Sequence, residues 1–239
     1  GNFTYGGVIV SNCDLGISSY KKADVPVVPA ANNHGGIEKI GDNYYIFYHR
    51  HTNNTWFSRQ GCAEKIQIAS DGSIQQVEIT SCGLNGGALK AKGEYGAYIA
   101  CHIFTDEPIA YVTDLYPKIT QEGADNEDGS PFGVAHYDGT NGVDTSYIAG
   151  IKDKTTIGFK YFDFKGVKKI GVKARGYFHG HFEVRNSYSG EVLGKIEFGD
   201  TSNFWKERSA DIAFPDKVAP LYLTFSGSGT GQLKSIFFD

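Results

Sequence analysis

The sequence contains no methionine in 239 residues, only two tryptophans and seven prolines, and no apolar run near the ~18 residues needed to cross a bilayer. Positive charge is not in surplus either. Lys and Arg number 23 against 27 Asp and Glu, a formal charge of −4, which argues against binding nucleic acid or another polyanion by charge. No positively charged, apolar leader opens the chain. The missing methionine, even at position 1, leads us to expect a mature fragment whose true start lies upstream. Sustained helical periodicity is scarce. Four cysteines, Cys13, Cys62, Cys82 and Cys101, lack zinc-ligand spacing; they allow three disulfide pairings, Cys82–Cys101 within them, or remain buried thiols. The triplets at 2–4 and 53–55 fit the glycosylation sequon, and the expectation is a secreted or cell-surface protein.

What is abundant is glycine (31), phenylalanine (16) and tyrosine (15), the profile of an all-β protein of short strands and glycine turns. From Val8 to about Ile103 the chain reads as hairpins. "IEKIGDNYYIFYH" pairs two strands across Gly41-Asp42, "AEKIQIASDGSIQQVEI" does so across Asp71-Gly72, and "EYGAYIACHIF" reads as one further strand. Residues 105–142 are turn-rich, with an acidic run, "EGADNEDG", whose oxygen ligands suit calcium but whose spacing is not that of an EF-hand. Beyond it "TIGFKYFDF", "KIGVKARGYF", "HFEVRNS", "LGKIEF", "KERSADIAF", "PLYLTFSG" and "LKSIFF" read as seven or so short strands and indicate a β-sandwich, a jelly roll. The division expected is 1–103 and 104–239.

"GNFTYGGVIVSN", "NNHGGIEKIGDNYYIFYHRHT" and "FSRQGCAEKIQIASDGSIQQVEIT" resemble the last blades of glycoside hydrolase family 43. "YIAGIKDKTTIGFKYFDF" through "LYLTFSGSGTGQLKSIFFD" resembles a family 6 carbohydrate-binding module. The resemblance implies the final blades of a five-bladed β-propeller followed by a sandwich, in an inverting enzyme that cleaves arabinofuranosyl or xylosyl linkages of plant hemicellulose. His34 matches the histidine at the propeller centre, which in the family is linked through water to calcium. Arg59 matches an arginine that reaches the sugar. A neutral imidazole suits an ordered water, and a guanidinium suits sugar hydroxyls and nearby carboxylates. His49, Arg50 and His51 invite a metal or phosphate reading. Strand alternation separates Arg50 from the histidines, and solvated loop residues are the plainer expectation. Trp56 and Phe57 read as stacking residues or as core.

The family's two catalytic carboxylates, about 6.5–9.5 Å apart in an inverting enzyme, and a third that tunes the acid belong to earlier blades. Asp14, Glu38, Asp42, Glu64, Asp71 and Glu78 offer no obvious pair, and Asp14 has no evident role. The expectation is therefore a chain silent on its own, completed by a companion polypeptide or fragment carrying the first blades. In the sandwich, the resemblance assigns Phe159 to the first sugar-stacking aromatic. Thr201 and Ser202 stand where the second belongs, and Ser235 replaces the usual asparagine, with Phe237 two residues on. The usual cleft thus looks eroded. Phe159 is the sugar contact this assignment offers; Trp205 matches a position more usually buried and stands with Tyr137, Tyr177 and Phe178 as an alternative contact, and packing against the propeller is the main role expected of the sandwich.

Overall fold

The computed structural model describes residues 3–19, 33–54, 59–107, 117–121, 146–199 and 202–239. Three strands come first: β1 (Gly35–Ile40), β2 (Asn43–His51) and β3 (Arg59–Ile66), paired antiparallel in that order. The β1–β2 turn is the expected Gly41-Asp42, with Gly41 at φ +60°, a conformation glycine adopts without strain. Around Asp71-Gly72 the tight turn forms, but pairing there amounts to one bridge, Ile68 to Ile74, rather than a hairpin of two full strands.

The remaining strands form one hydrogen-bonded network that folds over itself as a sandwich. They are β4 (Leu89–Lys90), β5 (Gly93–Gly96), β6 (His102–Phe104), β7 (Lys118–Gln121), β8 (Ser146–Ile151), β9 (Thr156–Asp163), β10 (Lys169–Arg185), β11 (Gly194–Phe198), β12 (Ser202–Asp211) and β13 (Val218–Phe238). Two of these replace pairs of strands expected from the sequence. β10 joins "KIGVKARGYF" to "HFEVRNS", and β13 joins "PLYLTFSG" to "LKSIFF". Gly176, Gly180, Gly227 and Gly229 carry positive φ, so each long strand bends at glycine instead of turning back. Each strand can then serve both layers: β13 pairs β9 at its start, β8 in its middle and β5 at its end.

β4 and β5 lie before the division expected at residue 103 and β6 runs across it, yet all three pair with β9 or β13. "EYGAYIACHIF" is accordingly not one strand: β5 and β6 flank a 3-10 turn at Ala97–Ile99. Between the layers lies a phenylalanine core. Phe164 stacks on Phe214 at 3.8 Å and Phe178 on Phe198 at 4.7 Å between ring centroids.

Candidate functional site

The register of β1–β3 decides what shares a face. Ile40 pairs with Asn43 and Gly35 with Tyr48, so the next position sets His34 opposite His49. On the other side of β2, His51 pairs with Arg59. Residues opposite one another in an antiparallel pair share a face, and so do His49 and His51, two apart on one strand. His34, His49, His51 and Arg59 therefore occupy one end of one face, with the backbones of His34 and Arg59 roughly 12 Å apart, two strand spacings across and two residues along.

The rings meet as the register requires. His34 lies 5.4 Å from His49 at 28° between planes, and His49 lies 6.0 Å from His51 at 82°. The His34 backbone N–H donates to His49 Nδ1 (3.4 Å), which must then be unprotonated, with the proton of a neutral ring on Nε2. His49 N–H donates to Asn33 Oδ1 (3.4 Å). Gly35 permits this approach, since a Cβ there would stand 2.6 Å from the Phe47 carbonyl oxygen. His34 and Arg59 are exposed; His49 and His51 are half-buried strand residues, not the solvated loop expected.

Arg50 points to the opposite face. Its Nε and Nη2 donate to Gln60 Oε1 (3.0 and 2.8 Å), while Nη1 and Nη2 donate to the carbonyls of Cys101 and Ala100. Gln60 Nε2 donates to the Tyr98 carbonyl (2.9 Å). Arg50 is thus a clamp that ties the histidine end of β2 to residues 98–101, and not a phosphate ligand. Farther along that face the carboxylate of Glu64 is buried. It accepts bonds from Thr80 N–H (2.7 Å), Thr80 Oγ1 (2.6 Å) and Tyr48 Oη (3.2 Å). Burial holds its pKa above the ordinary carboxylate value despite those donors.

The other carboxylates named from the sequence also have structural places. Asp14 is buried and accepts from Ser18 N–H, Ser19 Oγ and Gln76 Nε2, which accounts for a residue the sequence left unexplained. Glu78 accepts from Tyr161 Oη and lies 3.7 Å from the buried Lys160 ammonium. Asp71 accepts from Ser73 N–H (2.9 Å), Asp42 sits in the hairpin turn, and Glu38 accepts from Lys39 N–H. Cys82 and Cys101 are thiols rather than a bridge, and their Sγ atoms lie against the carbonyls of Lys160 and Gly158. Among the described residues no group of three or more His, Cys, Asp or Glu is arranged to hold a metal ion. Imidazole nitrogens suit calcium poorly as direct ligands, and the link expected at His34 is one through water. Trp56, Phe57, Thr201, Tyr137 and the acidic run at 122–129 lie outside the described residues.

In the sandwich one assignment is corrected. Phe159 is fully buried in the core and has no face to offer a sugar. Strand β9 is covered on both sides, so its residues do not alternate between core and solvent. Ser235 is also buried and donates to Glu94 on β5, which pairs across this part of β13. The ring of Phe237 lies over Gly171. Trp205 is half-buried, its ring covered by the Arg175 guanidinium 4.2 Å from the centroid.

The likenesses to known proteins run along hairpin sheet and sandwich alike. The chain is 52% identical over 241 residues to a xylosidase/arabinosidase of Thermoclostridium stercorarium, covering 98% of this chain and 47% of that protein. It is 26% identical over 215 residues to an arabinoxylan arabinofuranohydrolase of Paenibacillus polymyxa, covering 86% of this chain and 30% of that one. In fold it matches a family 43 arabinoxylan arabinofuranohydrolase of Bacillus subtilis, solved with cellotetraose, at a TM-score of 0.53 and 18% identity over 100% of this chain and 45% of that one. No family model matches the chain. The resemblance to family 43 glycoside hydrolases stands on these likenesses, and the chain spans about half or less of the length of the relatives it matches.

Proposed function

We propose that this chain is part of an inverting glycoside hydrolase that releases arabinofuranosyl or xylosyl units from plant hemicellulose. The observation that carries the reading is the register that brings His34 and Arg59 onto one face of the hairpin sheet, beside His49 and His51. His34, its backbone fixed on His49, holds an ordered water or the substrate at the pocket floor. Arg59 makes forked bonds to sugar hydroxyls and steadies the carboxylates that act on the glycosidic oxygen and the attacking water.

Those carboxylates come from outside the described residues, on a companion chain or fragment carrying the first blades. β1 supports this. All six of its residues are exposed, its outer edge has no partner strand among the described residues, and Ile37 and Ile40 are 41% and 45% accessible. An open edge with apolar side chains is what a neighbouring element would cover. A cell-wall polymer as substrate supports a secreted or cell-surface location. The test is pentose release from 4-nitrophenyl α-L-arabinofuranoside and β-D-xyloside. The chain alone is expected to be inactive, and the particle containing the companion active. A particle that grips insoluble xylan without releasing pentose would favour a non-catalytic binding protein, the reading suggested by the lack of a carboxylate pair within the described sheet.

A further inference from the structure

The segment at 12–15, ahead of β1, is tied to the sandwich on one side and to the hairpin sheet on the other. Two buried groups of the sandwich hold two consecutive carbonyls. His102 Nε2–H, on β6, donates to the Asp14 carbonyl (3.0 Å), and the Lys160 ammonium, on β9, donates to the Leu15 carbonyl (2.8 Å). Toward the hairpin sheet, Asn12 Nδ2 donates to the His49 carbonyl (3.1 Å). His49 in turn holds the stretch before β1: its N–H donates to Asn33 Oδ1, and its Nδ1 accepts from the His34 N–H, both at 3.4 Å. A continuous line of hydrogen bonds and short backbone links therefore runs from the sandwich to His34. From residue 12 to residue 15 the chain spans at most about 10 Å, which leaves little slack.

The sandwich core has no need of either polar group. Lys160 is 2% exposed and His102 7%, and a buried ammonium is costly unless it is bonded. An apolar side chain at 160 would fill the same space without that cost. The ammonium is met by the Leu15 carbonyl and by Glu78 Oε2 at 3.7 Å, and Glu78 also accepts from Tyr161 Oη. The His102 ring lies parallel to that of Tyr222, 6.4 Å away at 8°, which aims Nε2 at Asp14. The segment is pinned from a third side as well. The Asp14 carboxylate accepts from Gln76 Nε2 (2.6 Å), and the Ile9 carbonyl accepts from Val77 N–H (2.8 Å). Asn12 is thus presented to β2 in one place, as the support behind a preorganised site must be.

We propose that Asn12, His102 and Lys160 are positioning residues for His34: the sandwich fixes residues 12–15, these fix the His49 carbonyl, and His49 fixes the His34 backbone. The consequence for turnover rests on the reading of the hairpin face as a hydrolytic pocket, whereas the coupling itself does not. The sandwich contributes to that face in this way without touching a sugar.

The experiment is heteronuclear NMR of the 239-residue chain, reading the His34 amide and the His49 Nδ1 signals. Asn12→Ala, Lys160→Met and His102→Leu should each move the His34 amide proton upfield and His49 Nδ1 downfield, the directions of a weakened hydrogen bond. His102→Gln, whose amide can still donate to the Asp14 carbonyl, should restore both signals. Val184→Ala, in the fully buried core of β10, should lower the melting temperature and leave both signals in place. Adding Lys160→Met to Asn12→Ala should do little beyond Asn12→Ala alone, because both cut one line. The His102 pair decides the matter if Lys160→Met does not fold. Signals unmoved in Lys160→Met and His102→Leu, or moved equally in His102→Gln and Val184→Ala, would overturn the proposal. In the complete particle, Asn12→Ala, Lys160→Met and His102→Leu should each lower kcat/KM for pentose release about tenfold, with His102→Gln near wild type. Rates that hold while the signals move would uphold the coupling and count against the hydrolytic reading of the face.

Discussion

β1 exposes every one of its residues, whereas the sandwich encloses nine phenylalanines in a single core. The two regions, joined through β4–β6, are held by different forces. Burial of large aromatic rings stabilises the sandwich at tens of calories per Å² and needs no particular partner. The hairpin sheet instead relies on named polar tethers: Arg50 to the Ala100 and Cys101 carbonyls, and Glu64 to Thr80. A sheet fixed by a few directional bonds can hold side chains in a set geometry while keeping one face open, which is what a substrate pocket requires.

The comparison can be broken most forcefully from the sandwich side. Phe178 is fully buried against Phe182, Phe198 and Phe225, and Phe178→Ala should destabilise the chain by about 4 kcal/mol in urea unfolding. Arg50→Ala should cost about 3 kcal/mol, since it strips charged donors from backbone carbonyls. Its signature should be local: amide hydrogen exchange in β2 and β3 should quicken well before exchange in β10 and β13. Uniform acceleration throughout would mean that the tethers are not specific to the hairpin sheet.

A smaller effect comes with pH. His102, where the two regions meet, is buried and carries its ring proton on Nε2 toward the Asp14 carbonyl (3.0 Å). Burial first, and the Lys160 charge second, depress its pKa from 6.5 to about 3. A depressed folded-state pKa contributes stability that is present above 6.5 and lost as the pH falls toward 3, at about 1.4 kcal/mol per unit. Between pH 6.5 and 5 the loss from this group should be about 2 kcal/mol. Glu64, its pKa raised by burial, runs the other way, gaining stability as the pH falls through the carboxylate range. The difference in stability between wild type and His102→Gln, measured at both pH values, isolates the histidine's share; a difference independent of pH would contradict it.

Much of the hairpin face was legible in the sequence. A two-residue turn at Gly41-Asp42 fixes a register in which paired numbers sum to 83, so His34 falls opposite His49. The alternation of His49 and His51 then puts both beside it, a signal present in "YHRHT" and outweighed by the loop reading. Arg50 was not legible, because its partners are backbone carbonyls 50 residues away that any sequence could supply. In the sandwich, strand type and chain order were readable from the alternation of apolar residues. What failed was the role of Phe159, since β9 has no solvent face. The merging of four expected strands into β10 and β13 was equally hidden, because a glycine that bends a strand and a glycine that ends one look alike.

The central claim, that the hairpin face belongs to a hydrolytic pocket, is tested most directly by kcat/KM for pentose release by the complete particle carrying His34→Ala or Arg59→Ala. The account predicts a fall of at least about 100-fold for each, near 3 kcal/mol of transition-state stabilisation, with folding intact because both side chains are exposed. Rates within twofold of wild type for both variants would contradict it.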